Sequence, residues 1–554
     1  MTMKNTIGER MNAASPRCGL QLCRTAASIL VMLLALAANA ANPYLPLWEY
    51  IPDGEPYVFD DPDNPGKQRV YIYGSHDVLR GMRYCGRDQV VWSASVDDLN
   101  HWRFDGVIFR SILDANGEPL AKNGLADVLY APDIAVKTDA SGKKTYYLYP
   151  NNTVPQRQSM VAASDRPDGP FKVINWDPND PKKTVGDIKF DPGVFVDDDG
   201  RVYGYWGFEH SFGAELDPQT MSSVKPGTKP VEDMVNGLHQ PGVFRFFEAS
   251  SIRKIKGKYV FVYSRWAQDG EFGLGNSNYT LAYAYSDKPL GPWKYGGTLI
   301  DGRARETRPD GRTVPTATPG GNTHGSLCEI NGKWYVFYHR QSGTDDFSRQ
   351  AMVAPVTVEV DERPGGAVRI SEGEYNSEGF ETEGLNPFER HAAGIACHYT
   401  GPTVAVAKYP RVEFSGPWNK PCYADAYDEG DPYAPNVNRC PVVHVTDGSV
   451  VGYKYFDMNR LHGRKNLRLE INFTPLGKDA KVEVWTKRPN ATEGGVKVGE
   501  FAISAVWPEK ARCGIVDVST LVAHKGKEAL YFVFSSAAKD QSLCEIEDFR
   551  FAAE

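Results

Sequence analysis

The feature that most constrains this chain is a short strand ending in an aromatic residue that recurs five times: Arg69-Val70-Tyr71-Ile72-Tyr73, Tyr146-Tyr147-Leu148-Tyr149, Val202-Tyr203-Gly204-Tyr205-Trp206, Tyr259-Val260-Phe261-Val262-Tyr263 and Trp334-Tyr335-Val336-Phe337-Tyr338. Their last aromatics lie 76, 57, 57 and 75 residues apart. Each run follows a polar turn, Asn64-Pro65-Gly66, Ser141-Gly142, Asp199-Gly200, Lys256-Gly257 or Asn331-Gly332, and such turns close β-hairpins because they accept φ > 0. An apolar strand precedes every turn: Tyr57-Val58-Phe59, Ile134-Ala135-Val136, Val194-Phe195-Val196, 252–255 and 327–330. Echoes such as Ser164 to Phe171 against Ser286 to Trp293 lengthen the unit. A repeat of ~40 to 75 residues with several strands fits a β-propeller blade. Five repeats predict an all-β, five-bladed propeller, with unrelated hairpins of a sandwich as the alternative.

Where each first strand begins, a polar residue interrupts the apolar background: Asp53, Asp133, Asp191, Glu248 and His324. Singly, such residues cap strands or join turns. Innermost propeller strands line the axis, so equivalent positions converge, and a carboxyl cluster costs desolvation and repulsion that a neutral residue would avoid. Convergent acids point to chemistry. With no Walker loop, GxGxxG, HExxH or Cys/His metal spacing in the sequence, paired carboxyls suggest glycoside hydrolysis, one acid protonating the leaving oxygen and another activating water.

Composition narrows the partners. The net charge of −8 includes +3 from a leader bearing Lys4, Arg10, Arg17, Arg24 and Glu9, so the remainder is more acidic still. That argues against a nucleic-acid partner. After the leader's basic residues come an apolar run over 26–38 and Ala38-Asn39-Ala40, which reads as a secretory signal over 1–40, with Ala41 first in an exported, periplasmic or extracellular protein. The run is short for a span of ~20 residues, so no integral membrane segment is expected in the mature chain. Seven cysteines follow the leader, sparse and odd in number; a bridge such as Cys422 with Cys440 stays open.

The segments Ile51 to Phe59, Tyr71-Ile72-Tyr73-Gly74-Ser75-His76-Asp77, Tyr130-Ala131-Pro132-Asp133, Phe190-Asp191-Pro192-Gly193, Phe247 to Lys254, and Thr323-His324-Gly325-Ser326 followed by 334–340 resemble glycoside hydrolase family 43, in that family's order. The resemblance implies an inverting α-L-arabinofuranosidase or β-D-xylosidase acting on plant cell-wall polysaccharide or oligosaccharide. It implies Asp53 as general base, Asp133 as the residue that raises and orients the acid, and Glu248 as general acid. It also implies that His324 supports a bound cation, Ca2+ near the propeller axis. Asp53 is followed by Gly54-Glu55 before Pro56, where the family commonly has Pro directly after Asp, so Glu55 is a rival base; alternation would put both on one face. Trp92, His339 and Arg340 are candidate sugar-binding residues, with blade core as the alternative for Trp92. Asp191 and Asp77 read as supporting carboxylates. A catalytically silent sugar-binding propeller is the rival from another class, and a retaining fructan-active propeller the mechanistic rival.

The propeller is expected over 41–388. From 389 to 554 strands return with new spacing, at 450–456, 467–473, 481–485, 499–503 and 530–534, as in a β-sandwich. They resemble jelly-roll modules related to family 6 carbohydrate-binding modules, which implies either polysaccharide binding through Tyr453, Trp485 or Trp507, or a stabilising sandwich.

Overall fold

Each of the five aromatic-ended runs is the second strand of an antiparallel sheet in the computed structural model, which describes residues 41–317, 322–344, 346–405, 419–426, 430–431 and 439–554. The expected leader lies outside the described residues. Sheet I joins Glu55–Asp60, Gln68–Tyr73, Gln89–Ser95 and Asp98–Phe109; sheet II joins Asp133–Thr138, Lys144–Tyr149, Ala162–Ser164 and Lys172–Val173. Sheet III joins Gly193–Val196, Val202–Trp206, Phe212–Leu216 and Val231–Glu232; sheet IV joins Phe246–Ile255, Lys258–Ala267, Ser277–Ser286 and Lys294–Asp301. Sheet V has three strands, Ser326–Ile330, Lys333–Gln341 and Arg349–Val356. All five are meanders in chain order.

The turn chemistry explains the register. Asn331 and Gly332 both have positive φ (49° and 77°), as do Lys256 and Gly257 (47° and 78°), so Ile330 pairs with Lys333 and Ile255 with Lys258 across two-residue loops. Side chains of the second strands are covered on both faces. Tyr71 and Tyr73 pack with Phe59, Ile134 and Tyr146 between sheets I and II, and Tyr203 and Tyr205 pack with Phe246 and Phe261 between sheets III and IV. That two-sided burial is why these strands read as continuous apolar runs.

First strands of sheets II and III, III and IV, IV and V, and V and I lie against one another. The Tyr57 hydroxyl of sheet I donates to Asp133 Oδ1 of sheet II at 2.8 Å, so five first strands close a ring. Along the outer edge of sheet V runs the segment from 41: Val353 N donates to Asn42 Oδ1 at 3.0 Å and Tyr44 N to the Ala351 carbonyl at 3.3 Å.

Two larger sheets follow residue 390, besides a two-stranded one of Val404–Ala405 with Asn419–Lys420. One orders Tyr423–Ala424, Val442–Val445, Cys544–Ala552, Arg468–Pro475 and Arg512–Asp517, with His391–Ala392 also on Cys544–Ala552. The other orders His398–Thr400, Val450–Asp457, Lys527–Ser535, Ala480–Thr486 and Val496–Ile503. Strict alternation in Arg468–Pro475 turns Leu469, Ile471 and Phe473 inward against Val482, Val484 and Phe532. All the described cysteines are free thiols, Cys422 and Cys440 included, so the bridge that the sequence leaves open is not formed. Tyr453 is fully buried, because its strand turns that position into the core between Phe532 and Phe549; it is no surface for polysaccharide.

Candidate active site

Asp53 sits two residues ahead of sheet I with φ 60°, which breaks the extended chain before the strand begins. Gly74 makes room for it: a Cβ there would lie 2.4 Å from the Pro52 carbonyl oxygen. Arg349 Nη1 donates to Asp53 Oδ1 at 2.8 Å and the Ser75 hydroxyl to Oδ2 at 2.5 Å. The backbone N–H of Asp53 donates to His339 Nδ1 at 3.2 Å. That leaves the imidazole proton on Nε2, which faces the backbone and side-chain oxygens of Asn322, both at 3.1 Å.

Arg349 is itself locked. Its Nε and Nη2 fork onto Asp77 at 2.8 and 3.0 Å, and Asp77 also accepts from Cys85 N at 2.9 Å. One buried guanidinium therefore serves two buried carboxylates. Burial acts to raise the Asp53 carboxyl, and Arg349, with smaller help from His339, His324 and Ser75, overrides it and holds the group at about 2. Since burial pushes both imidazoles down, His324 to about 4 and His339 to about 3, the guanidinium is the charge that counts at neutral pH.

Glu248 lies on a β-bulge. It pairs with Ser264, the next register is Ser251 with Val262, and Ala249 between them has φ 69°; such bulges re-aim side chains. Burial and then the negative charge of Asp53 push Glu248 up to about 7, against the opposing pull of Arg349 and a hydrogen bond from Asn322. One carboxyl is thus held ionised and its neighbour held protonated, a division set by which of them meets the guanidinium directly.

Asp191 joins this group. Ala249 N, next to Glu248, donates to its Oδ2 at 3.1 Å, and Asn151 Nδ2 donates to Oδ1 at 3.0 Å. Gly193 permits the approach, because a Cβ there would be 2.7 Å from the Ser250 carbonyl oxygen. Burial and the charge of Glu248 raise Asp191 well above the carboxylate range. His324 Nδ1 stands 3.7 Å from Asp191 Oδ2. Among the described residues no group of three or more His, Cys, Asp or Glu side chains is placed to hold a metal ion.

Asp133 and Glu55 form a second cluster. Asp133 accepts from Tyr57 OH and from Val194 N; Glu55 Oε2 accepts from Arg253 Nη2 at 2.8 Å and Ser251 Oγ at 3.2 Å. Arg253 also covers the Tyr57 ring, 4.4 Å from its centroid. Burial raises Glu55 to about 8 and Asp133 to about 6.

Three sequence readings change accordingly. Asp133 is engaged with Tyr57 and Val194 and is not brought to Glu248; Asp191 is, because the bulge presents Ala249 N to it. Asp53 and Glu55 do not share a face, since the positive φ of Asp53 breaks the alternation. Trp92 and Arg340 are not sugar-facing. Trp92 is interior, with Nε1 donating to Glu49 Oε2 at 2.8 Å and its ring among Trp48 and Phe104. Arg340 is buried on the Gln350 side chain at 3.0 Å and the carbonyls of Ala396 and Gly394, which ties sheet V to the chain after 390. His339 is in the site, as a brace for Asp53. Arg349 and Asn322 were missed; an Arg-Gln pair opening the otherwise apolar run 349–356 is the signal that could have found the first. A cavity of about 630 Å³ lined by Phe59, Val136, Asp198 and Lys256 opens at the turn ends of the first strands, opposite to Asp53 and Glu248.

A model described as Glycosyl hydrolases family 43 matches residues 67–364. A xylosidase/arabinosidase of Thermoclostridium stercorarium is 32% identical over 522 residues, covering 91% of this chain and 98% of its own. The chain belongs to glycosyl hydrolases family 43. A family resemblance thus joins the geometry: the family match spans Asp133, Asp191, Glu248 and His324, while Asp53 precedes it. A beta-xylosidase of Xylanibacter ruminicola is 27% identical, covering 51% of this chain and 87% of its own. A solved structure of a family 43 arabinoxylan arabinofuranohydrolase from Bacillus subtilis, in complex with cellotetraose, is 22% identical with a TM-score of 0.43, covering 93% of this chain and 98% of its own. Among the described residues no helix is long and apolar enough to cross a membrane.

Proposed function

We propose that this family 43 glycoside hydrolase is exported and removes terminal α-L-arabinofuranosyl or β-D-xylosyl units from hemicellulose with inversion. Asp53 is the general base and Glu248 the general acid, with Asp191 rather than Asp133 supporting the acid. The observation that carries the reading is the separation of two buried carboxyls, Asp53 held at about 2 and Glu248 pushed up to about 7. An ionised base can take a proton from water while a protonated acid delivers one to the leaving oxygen. The names of the relatives support the two sugars. The ring of five first strands supports a five-bladed propeller, and the two facing C-terminal sheets support a jelly-roll accessory domain from about 389.

The test is hydrolysis of matched aryl α-L-arabinofuranoside and β-D-xylopyranoside, followed by NMR of the first-formed anomer. Release with inverted configuration, lost in Glu248→Gln, is expected. A retained anomer, or full turnover by Glu248→Gln, overturns the mechanism.

A further inference from the structure

Arg349, the cation on Asp53, is held on both sides by contacts that lead into the chain after residue 390. It opens the third strand of sheet V and pairs with Gln341 across the loop 342–348. On one side, the Gln350 side chain accepts from Arg340 Nε at 3.0 Å and donates to the Leu47 carbonyl at 2.6 Å. Arg340 Nη1 donates to the Ala396 carbonyl at 2.6 Å and Nη2 to the Gly394 carbonyl, both at the short turn Ala393–Ile395. On the other side, the loop closes on itself, Ser342 N donating to the Ser348 carbonyl at 2.9 Å, and hangs from Gly343 N, which donates to the Ala424 carbonyl at 2.8 Å. Asp425 comes next, its Oδ2 3.8 Å from Arg80 Nη2. Arg80 belongs to the loop 74–88, whose Tyr84 ring covers the Arg349 guanidinium at 4.9 Å and meets Phe347 at 4.8 Å.

Arg340 is the unusual member of this chain of contacts. It is 4% exposed, and the groups that act on its charge are the phenols of Tyr375 and Tyr399 and the thiols of Cys397 and Cys440. Burial pushes all four up, which leaves them neutral. A buried cation without a counter-charge is costly unless dipoles solvate it, and here the carbonyls of Gly394 and Ala396 do so. A module tethered only to bind polymer would meet its neighbour through a more polar, exchangeable surface. The cost makes sense if the contact fixes something that must not move. Arg349 Nη1 lies 2.8 Å from Asp53 Oδ1, and a bond of that length is lost with a displacement of about 1 Å. Arg349 lowers Asp53 and also opposes the rise of Glu248, so loosening it lets both carboxyls rise.

We propose that the C-terminal sheets are part of the catalytic apparatus, with Arg340 and Asp425 as positioning residues that keep Arg349 on Asp53. This rests on Asp53 and Glu248 as base and acid. The experiment follows kcat, KM, their pH dependence and the thermal midpoint of the full chain on the faster aryl glycoside. The variants are Arg340→Lys, Asp425→Ala, and the exchange of Arg80→Asp with Asp425→Arg. Arg340→Lys keeps the charge but loses the planar fork that reaches two carbonyls and Gln350 together. It is expected to lower kcat roughly tenfold with KM within about twofold. It should also move the alkaline limb of kcat/KM, set by Glu248 at about 7, up by roughly half a pH unit. Asp425→Ala should act in the same direction, by about threefold in kcat, and the exchange should restore both kcat and the limb. A residue that only supports the fold would lower the thermal midpoint and leave the limb in place; that outcome, or unchanged kinetics in both single variants, overturns the proposal. Should Arg340→Lys not fold, Asp425→Ala and the exchange decide. Full turnover by Asp53→Asn would strike the base assignment underneath, a failure distinct from an unmoved limb in Asp425→Ala.

Discussion

Two buried acid clusters share the ring of first strands, and their difference shows what makes one of them reactive. Around Asp53 and Glu248, the cation Arg349 bonds Asp53 directly and is fixed from behind by Asp77. Asp53 is held low and Glu248 is left high. Around Glu55 and Asp133, Arg253 bonds Glu55 while Tyr57 and Val194 satisfy Asp133, and both acids are raised. Residue types and burial are alike. A divided pair can pass protons in opposite directions, whereas two raised carboxyls provide no ionised base at mildly acidic pH.

The largest expected effect separates the clusters directly. Asp53→Asn should cut kcat by roughly 10²- to 10⁴-fold, the usual worth of a general base, while Glu55→Gln keeps turnover within about twofold. Loss of turnover in Glu55→Gln alone, measured on the faster of the two aryl glycosides, would exchange the clusters' roles.

Next in size is the cation. Arg349→Met leaves Asp53 and Asp77 buried without a counter-charge and should cost on the order of 3–5 kcal/mol in chemical denaturation. It should also move the acidic limb of kcat/KM to higher pH, because Asp53 loses the charge that holds it at about 2. A destabilised variant whose acidic limb stays in place would mean that Arg349 only supports the fold.

The smallest effect lies in the pH dependence of stability. Glu55 is raised in the folded state, so its contribution is fully present below the ordinary glutamate range and is lost as pH rises towards about 8. Glu55→Gln should flatten that decline by about 1–3 kcal/mol in urea unfolding between pH 5 and 9. Parallel curves for the two proteins would show that Glu55 keeps its proton, or lacks it, equally in both states.

Much of this molecule is readable along the chain because it depends on neighbours in sequence. Gly-containing turns and apolar runs set the five hairpins, whose second strands coincide with the five aromatic-ended runs. The same periodicity marked Asp53, Asp133, Asp191, Glu248 and His324 as residues at equivalent ends of first strands. What local pattern could not reach was the partner of each one. Arg349 is 296 residues from Asp53 and Ala249 is 58 from Asp191; a bulge and a positive φ decide those meetings.

By itself, then, the sequence determined the repeat, the all-β class and a ring of polar residues, since these follow from period-2 burial and from turns that need positive φ. Tertiary structure decided that Arg349 meets Asp53 first, that Asp191 rather than Asp133 stands beside Glu248, and that Trp92 and Arg340 face the interior. The physical reason is that a side chain's charge state depends on which buried groups it meets, and those meetings are made by distant segments packing around a common axis.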